Sequence, residues 1–181
     1  METIRIHKID NFFDNPDEIR ECALNMDFDG PSPTQGWRGI RVNPTNRVVA
    51  GVDLEQMIVE EVAFRIPNFK YGEMELYFHI TSEEVRENFT TETFEEASKH
   101  YDSNDSRIVG LVYLTPNPPK NCGTSFFDDD GNKIGEAENV YNTMVIYPAD
   151  ILHGPTNPFG DTKENSRLTL VFFLKKYDNN R

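Results

Sequence analysis

Three short apolar runs in the second half of the chain constrain its fold most. They are rich in β-branched and aromatic residues, are bounded by Pro, Gly or Asn, and lie at 108–114, 143–147 and 168–174. Such short runs are typical of central β-strands rather than of helices. A fourth run, at 74–80, alternates apolar and polar residues and predicts a strand with one buried face. The chain beyond residue 70 is therefore predicted to be mainly β.

The first 70 residues carry helical patterns instead. Asn15 followed by Pro16 suits the cap and first turn of a helix, and an apolar stripe predicts that this helix ends near Met26. A second helix of about 13 residues is predicted to begin at Asp53, because Asp53 and Gln56 form a capping-box pattern. The spacing of the apolar residues thus changes along the chain, from the period of a helix to that of a strand.

Three other stretches have weaker patterns. Isoleucines alternate with polar residues over 3–9, which predicts an edge strand. The segment 27–46 has the Gly, Pro, Asn and Ser content of a loop, and its W-R-G-I-R motif at 37–41 could contact a substrate, although a structural tryptophan is an equal interpretation. The acidic segment 82–98 is predicted to form a loop or short helix that could act as a lid.

This order of elements favours one α+β domain that is mainly β and has its helices at the N-terminus. A chain of 181 residues has an ordinary size for a single domain. We expect a double-stranded β-helix, the jelly-roll or cupin-like fold, braced by two or more helices. The helical support would span about 1–70 and the jelly-roll core about 71–177. An open α+β sheet is the alternative.

Charge and cysteine content limit the expected partners. A net charge of −13 and a pI near 4.7 argue against binding to nucleic acid or to an anionic membrane. Cys22 and Cys122 form no disulfide or zinc pattern. Neither a signal-peptide core nor an apolar run long enough to span a membrane is present in the sequence. We expect a soluble cytoplasmic protein.

His100, Asp102 and His153 form a candidate metal site. Residues i and i+2 of a strand project to one face, so His100 and Asp102 of an H-Y-D triplet could bind the same ion. His153 is the best third ligand, because His7 lies at the extreme N-terminus and His79 has no acidic neighbour within two residues. Two histidines and one carboxylate are typical of non-haem Fe(II) oxygenases. In contrast, an isolated H-x-D triplet occurs by chance, and His79 is better interpreted as a hydrogen-bonded histidine near the pocket.

The motifs around these residues resemble those of a known family. The resemblance is to the 2-oxoglutarate/Fe(II)-dependent dioxygenases, particularly their prolyl-hydroxylase-like branch. The matching motifs are H-Y-D at 100–102, Y-L-T at 113–115, G-T-S-F-F at 123–127, P-A-D-I-L-H-G at 148–154 and S-R-L-T-L at 166–170. The segment 10–24 is also similar to the helix before the core in small phage-borne members. An N-C-G-T-S segment departs from the double glycine of prolyl-hydroxylase relatives.

The resemblance implies a reaction. His100, Asp102 and His153 would hold Fe(II), and 2-oxoglutarate would chelate it and leave one position for O₂. Hydroxylation of an unactivated C–H bond, in a peptidyl residue such as proline or in a small molecule, would accompany release of succinate and CO₂. A phage-encoded enzyme would act in the host-cell cytoplasm. The alternatives are a non-catalytic jelly-roll module that binds metal or a partner, and nucleic-acid dealkylation, which the negative charge disfavours. The sequence leaves the oligomeric state open.

The resemblance also implies three residues that bind the cosubstrate. Arg167 would pair with the C5 carboxylate of 2-oxoglutarate, a role that suits a planar and permanently charged side chain. Tyr113 would hydrogen-bond the same carboxylate, and Thr169, on the same strand face as Arg167, could add a hydroxyl donor. Two simpler interpretations stay open: Arg167 could pair with Asp150 or Asp161, and Tyr113 could be a packing residue.

Overall fold

The computed structural model describes residues 5–30, 38–88, 94–102 and 105–177. The helices are α1 (Pro16–Leu24), α2 (Leu54–Arg65) and α3 (Phe94–Ser98), and a 3₁₀ helix spans Glu83–Asn88. The strands, in chain order, are β1 (His7–Ile9), β2 (Ile40–Val42), β3 (Val48–Val49), β4 (Val52–Asp53), β5 (Tyr71–Thr81), β6 (Ser106–Tyr113), β7 (Thr124–Phe127), β8 (Lys133–Ala137), β9 (Met144–Pro148), β10 (Leu152–Pro155) and β11 (Arg167–Lys176). The chain is thus mainly β with few helices, as predicted.

A six-stranded antiparallel sheet, the major sheet, dominates the fold with the strand order β1-β9-β6-β11-β5-β2. The three apolar runs form β6, β9 and β11, and the alternating run forms β5, so these four strand predictions are confirmed. Strand β1 pairs with β9 at one edge of the sheet, so the edge strand predicted over 3–9 is confirmed for residues 7–9, while residues 3 and 4 lie outside the described ranges. Strand β11 pairs with β5 on one side and β6 on the other, so it lies at the centre.

Helices α1 and α2 cover one face of the major sheet, the outer face. Alternate side chains of β11, such as Leu170 and Phe172, belong to one buried cluster with Ile19 of α1 and with Leu54 and Ile58 of α2. Burying each of these side chains contributes about 1.5–3 kcal/mol. This layer is therefore the larger of two hydrophobic clusters, and it fixes the sheet on which the site is built.

The two N-terminal helices begin in different ways. Asp53 caps α2 as predicted, because its Oδ1 accepts a hydrogen bond of 3.0 Å from the N–H of Gln56. The prediction that Asn15 caps α1 is wrong, since its side chain makes no cap hydrogen bond and donates to the Glu18 carboxylate at 2.8 Å. Pro16 has no N–H that needs a partner, so α1 begins without this cap.

A second antiparallel sheet, the minor sheet, has the order β10-β7-β8 and packs against the other face of the major sheet, the inner face. Val109, Leu111 and Val145 of the major sheet form one buried cluster with Phe126 and Ala137 of the minor sheet. Two antiparallel layers with helices on the outside are compatible with the predicted jelly roll. The site described below lies between these layers.

Two stretches differ from their predicted structure. The segment 27–46, predicted as a loop, contains β2 and a backbone bridge that involves Asp29. Three residues are too few to show a strand period, and β2 exists because it pairs with β5. The prediction that His100 and Asp102 lie on a regular strand is wrong, because only a single bridge, between His100 and His153, forms there.

The described helices are all short. The acidic segment 82–98 contains the 3₁₀ helix and α3, as predicted for a short helix, while 89–93 lie outside the described residues. Its action as a lid stays a prediction. Among the helices of the described ranges, none is long and apolar enough to cross a membrane.

Gly110, in the middle of β6, is required by the packing of the outer face. A Cβ atom at this position would lie 2.3 Å from the Phe172 ring and 2.4 Å from the carbonyl oxygen of Val145. We therefore expect Gly110→Ala to lower the free energy of unfolding, measured in urea, by about 1–3 kcal/mol, the usual cost of overpacking. Gly135→Ala is the control, because a Cβ there meets nothing within 4 Å. Equal stability of the two variants would contradict the prediction.

Candidate metal centre

The two histidines of the candidate site are joined by main-chain hydrogen bonds. The N–H of His100 donates to the carbonyl of His153 at 2.9 Å, and the N–H of His153 donates back at 3.0 Å. Residues that are directly opposite in an antiparallel pair project to the same face. Their rings therefore lie side by side, with centroids 4.5 Å apart.

Asp102 completes the triad. Its Oδ1 lies 3.8 Å from Nε2 of His100, and its Oδ2 lies 3.4 Å from Nε2 of His153. The three donor atoms all lie within 4.8 Å of one another. Each of the three residues offers one ligand atom, so His100, Asp102 and His153 together could hold a single metal ion.

Hydrogen bonds to backbone carbonyls set the tautomer of each histidine. Nδ1 of His100 donates to the carbonyl of Ser98 at 2.7 Å, and Nδ1 of His153 donates to the carbonyl of Ile151 at 3.0 Å. Since the proton is on Nδ1 in both rings, each Nε2 keeps its lone pair and faces Asp102. Such backbone support of the non-ligating nitrogen is typical of histidines that bind metals.

The environment of Asp102 fits a bound cation. The side chains of Asp102 and His153 are 7% and 5% exposed, whereas that of His100 is 51% exposed. Burial raises the pKa of Asp102 above its usual range and lowers the pKa of His153 to about 3. Oδ2 of Asp102 is buried and accepts no hydrogen bond within the described part of the chain. A buried carboxylate oxygen without a donor is costly, and a divalent cation would supply the missing partner.

Arg167 begins β11 on the inner face and is 3% exposed. Its Nε donates to the carbonyl of Cys122 at 3.3 Å, and its Nη2 contacts the carbonyl of Gly123 at 3.5 Å and Oγ1 of Thr124 at 3.4 Å. Its guanidinium also lies 5.5 Å from the centroid of the Tyr113 ring. These hydrogen bonds are long and use Nε and Nη2, so Nη1 of Arg167 is able to donate to a ligand.

The buried charge of Arg167 has no carboxylate partner among the described residues. Neither Asp150 nor Asp161 lies within the 4.0 Å of an ion pair, so the simpler interpretation of Arg167 as their partner does not hold. An unpaired buried cation is costly. An anion at this position would offset that cost.

Tyr113 and Thr169 lie beside Arg167 on the inner face, and they are paired residues of β6 and β11. The Tyr113 hydroxyl donates to the carbonyl of Ala137 at 3.1 Å and lies 2.8 Å from Oγ1 of Thr124. Oγ1 of Thr169 donates to the carbonyl of His79 at 3.4 Å. Both hydroxyls are thus engaged by the protein.

A cavity of about 370 Å³ opens beside the triad. The side chains that line it together with His100 and Asp102 include Arg41, His79, Thr81, Phe94 and Phe173. His79 is hydrogen-bonded through Nε2 to the carbonyl of Arg38, so the interpretation of His79 as a hydrogen-bonded histidine near the pocket is confirmed. The tryptophan of the 37–41 motif lies outside the described residues.

The sequence analysis placed Arg41 in a loop motif that could contact a substrate, without counting it among the site residues, and it assigned no role to Thr81. Arg41 interrupts the apolar residues of I-R-V in β2, and Thr81 is two residues after His79 on the same face of β5. The one signal for Arg41 is an arginine between two apolar residues. That signal has a meaning only if these three residues form a strand, which their own pattern does not predict.

No protein family matches the sequence, and no curated protein is similar enough to count as a relative. Solved structures, in contrast, match most of the chain. A Pseudomonas putida prolyl-4-hydroxylase has a TM-score of 0.63 at 14% identity over 97% of this chain and 95% of its own. A Trichoplax adhaerens prolyl hydroxylase, in complex with a hypoxia inducible factor peptide fragment, has a TM-score of 0.66 at 10% identity over 94% and 83%.

A third match is the viral collagen prolyl hydroxylase of Paramecium Bursaria Chlorella virus-1, in a 2-oxoglutarate complex. Its TM-score is 0.53 at 11% identity, over 95% of this chain and 96% of its own. The fold is therefore that of the 2-oxoglutarate/Fe(II) oxygenases, in their prolyl-hydroxylase-like form. The fold that the sequence motifs implied is confirmed.

Proposed function

We propose that this protein is an Fe(II)- and 2-oxoglutarate-dependent dioxygenase, built on a double-stranded β-helix, that hydroxylates an unactivated C–H bond. The observation that carries the proposal is the His100–Asp102–His153 triad. It combines two imidazoles that present unprotonated Nε2 atoms with a buried carboxylate oxygen that accepts no hydrogen bond from the described residues. Two imidazoles and one carboxylate are the ligand set of non-haem Fe(II) oxygenases.

The triad would hold the iron and leave coordination positions for the cosubstrate and O₂. When bound, Fe(II) supplies the activation of O₂, so that one oxygen atom enters succinate as 2-oxoglutarate loses CO₂ and the other enters the substrate as a hydroxyl group. Asp102 and His153, both buried, would keep bulk water from one side of the metal. Ligands would enter from the side of His100, whose side chain is half-exposed and lines the cavity.

Arg167 would anchor the cosubstrate. Its buried and unpaired charge supports a role in binding the C5 carboxylate of 2-oxoglutarate through Nη1. Thr169 and Tyr113 would complete this subsite, with Thr169 providing a hydroxyl near the C5 carboxylate. Tyr113 would act mainly by holding Thr124, since its own hydroxyl already bonds Thr124 and Ala137.

The substrate would be a peptidyl residue or a small molecule that enters the cavity beside His100. The prolyl-hydroxylase neighbours, one of them in complex with a peptide, support a prolyl residue as one candidate. We propose the cytoplasm as the setting, since Cys22 and Cys122 are free thiols of the kind that a reducing compartment preserves.

The test is anaerobic titration of 2-oxoglutarate into the Fe(II)-loaded protein. We expect the weak visible charge-transfer band of an iron–2-oxoglutarate chelate, followed by succinate formation when O₂ is admitted. A protein that binds metal stoichiometrically but shows neither the band nor 2-oxoglutarate affinity would instead be a non-catalytic binding module.

A further inference from the structure

The cavity beside the triad presents a second arginine, Arg41, to its contents. Arg41 lies on the inner face of edge strand β2, opposite His79 of β5. Its backbone is held from the other side as well, because Arg41 and Asp29 exchange two hydrogen bonds of 2.9 and 2.8 Å. Its guanidinium lies 5.7 Å from the centroid of the Tyr77 ring. The charge is therefore fixed in place by the strand and by its neighbours.

Arg41 brings positive charge to the metal site. Its side chain lines the same cavity as His100 and Asp102 of the triad. Burial lowers the pKa of Arg41 itself to about 10, so the guanidinium stays protonated at neutral pH. A cation that is largely removed from water attracts an anion far more strongly than a solvated one.

The remaining walls of the cavity are mostly apolar, apart from the exposed Arg38 and the half-buried Lys99. Phe94, Ala97, Pro155 and Phe173 supply apolar surface. Lys99 also lines the cavity, but its ammonium donates to the Glu96 carboxylate at 2.7 Å and to the carbonyl of Gly131 at 2.9 Å. The cavity thus combines an apolar wall with two triad residues, His100 and Asp102, and with the half-buried Arg41 on its inner side.

Arg41 and Arg167 are separate anion sites. Strand β5 lies between β2 and β11, and Arg41 is aligned across β5 with Thr169, two residues beyond Arg167. With strands about 4.8 Å apart and a rise of about 3.4 Å per residue, the two Cα atoms are about 12 Å apart. Arg167 is assigned to the cosubstrate under the proposed function. Arg41 lines the cavity at a separate position, where a different ligand of the same reaction would meet it.

We propose that Arg41 binds a carboxylate on the primary substrate, and that this substrate is an aliphatic carboxylate whose hydrocarbon part lies along the apolar wall toward the triad. The inference rests on the proposed function. A guanidinium binds a carboxylate through two parallel hydrogen bonds, which fixes the orientation of the substrate as well as its position. A carbon a short distance from the carboxylate would then be held near the metal. Free amino acids and acidic side chains of peptides offer the same group, so the test includes both.

The test measures binding by calorimetry to the anaerobic protein loaded with Mn(II) and 2-oxoglutarate. The probes are L-valine, L-leucine, L-isoleucine and L-proline, each paired with its primary amide, and a capped aliphatic peptide with one internal glutamate, paired with its glutamine form. We expect at least one carboxylate probe to bind at least tenfold more tightly than its uncharged partner. The probe that does so identifies the source of the group.

Arg41→Gln should remove this preference, with a 10- to 100-fold loss of affinity for the carboxylate probe and no change for the amide. Arg41→Lys keeps the positive charge but lacks the planar pair of N–H donors, so it should retain part of the preference for the carboxylate probe. Arg65→Gln, on the exposed side of α2, is the control and should bind as the wild type does. Thermal melts of the metal-free variants establish that each one is folded.

Three results would overturn the inference. The first is that no carboxylate probe binds the wild type more tightly than its amide. The second is that the preference for the carboxylate probe survives in Arg41→Gln. The third is that Arg41→Gln weakens the binding of 2-oxoglutarate itself, which would show that Arg41 binds the cosubstrate. Failure of the proposed function looks different, because the wild-type protein would then not bind 2-oxoglutarate at all.

Discussion

Asp102→Asn should abolish metal-dependent turnover while leaving the metal-free protein at least as stable as the wild type. Asp102 supplies the only negative charge of the triad, and its replacement by a neutral amide removes the ligand that Fe(II) attracts most strongly. We expect Mn(II) or Fe(II) affinity to fall by more than about 100-fold, which is the upper end of the losses seen when only a hydrogen-bond partner of a metal ligand is removed, and we expect succinate formation to disappear.

The expected stability of the metal-free variant follows from the surroundings of the Asp102 carboxylate. Oδ2 of Asp102 is buried and accepts no hydrogen bond from the described residues, so the metal-free fold carries the cost of an unpartnered carboxylate. Removing that charge should raise the free energy of unfolding of the metal-free protein by about 1–3 kcal/mol, the cost of one unsatisfied buried group. Thermal or urea unfolding without metal measures this change.

The control for Asp102→Asn is Asp150→Asn, an equal change at an exposed position near His153. It should leave metal affinity, turnover and stability unchanged. Wild-type metal affinity in Asp102→Asn would show that Asp102 is not a ligand. A marked loss of stability in the metal-free Asp102→Asn protein would show that the carboxylate is structural.

Arg167→Ala should raise the KM for 2-oxoglutarate by about 100- to 1,000-fold, because truncating one partner of a buried charge pair costs about 2–5 kcal/mol. Metal affinity should not change, since the hydrogen bonds of Arg167 go to Cys122, Gly123 and Thr124 and not to the triad. Steady-state succinate formation and metal titration measure the two quantities separately. 2-Oxoglutarate should also no longer raise the melting temperature of this variant.

Lysine should not rescue Arg167. Nε and Nη2 of Arg167 hold the carbonyls of Cys122 and Gly123 and the hydroxyl of Thr124, and one ammonium cannot replace these contacts and also reach a ligand. Arg167→Lys should therefore keep a KM at least tenfold above that of the wild type. Arg65→Gln serves again as the control, and an unchanged KM in Arg167→Ala would show that the cosubstrate is anchored elsewhere.

The parts of the fold that could be predicted are those with a local cause. Strands β5, β6, β9 and β11 are long enough to show their period, and the side chain of Asp53 bonds a backbone N–H only three residues away. The motifs around His100 and His153 likewise point to the triad from the sequence alone. The roles of Arg167, Tyr113 and Thr169 as cosubstrate contacts stay predictions.

The parts that could not be predicted depend on distant pairing. Strand β2 has only three residues and is held by β5 on one side, with Asp29 bridging Arg41 on the other. His100 is positioned by one bridge to His153, far along the chain, and not by a strand of its own. The inward direction of Arg41 follows from the β2–β5 register, which no local pattern encodes.

The reciprocal main-chain bridge between His100 and His153 has a consequence for metal binding under the proposed function. The two imidazoles are held together by peptide groups, and neither bond involves a ligand atom. If these histidines bind iron as proposed, their backbones are already held together in the metal-free protein, and binding would cost little additional conformational entropy there. Under the proposed function we therefore expect iron to be removed by a chelator and restored without unfolding of the domain, through the side on which His100 is exposed.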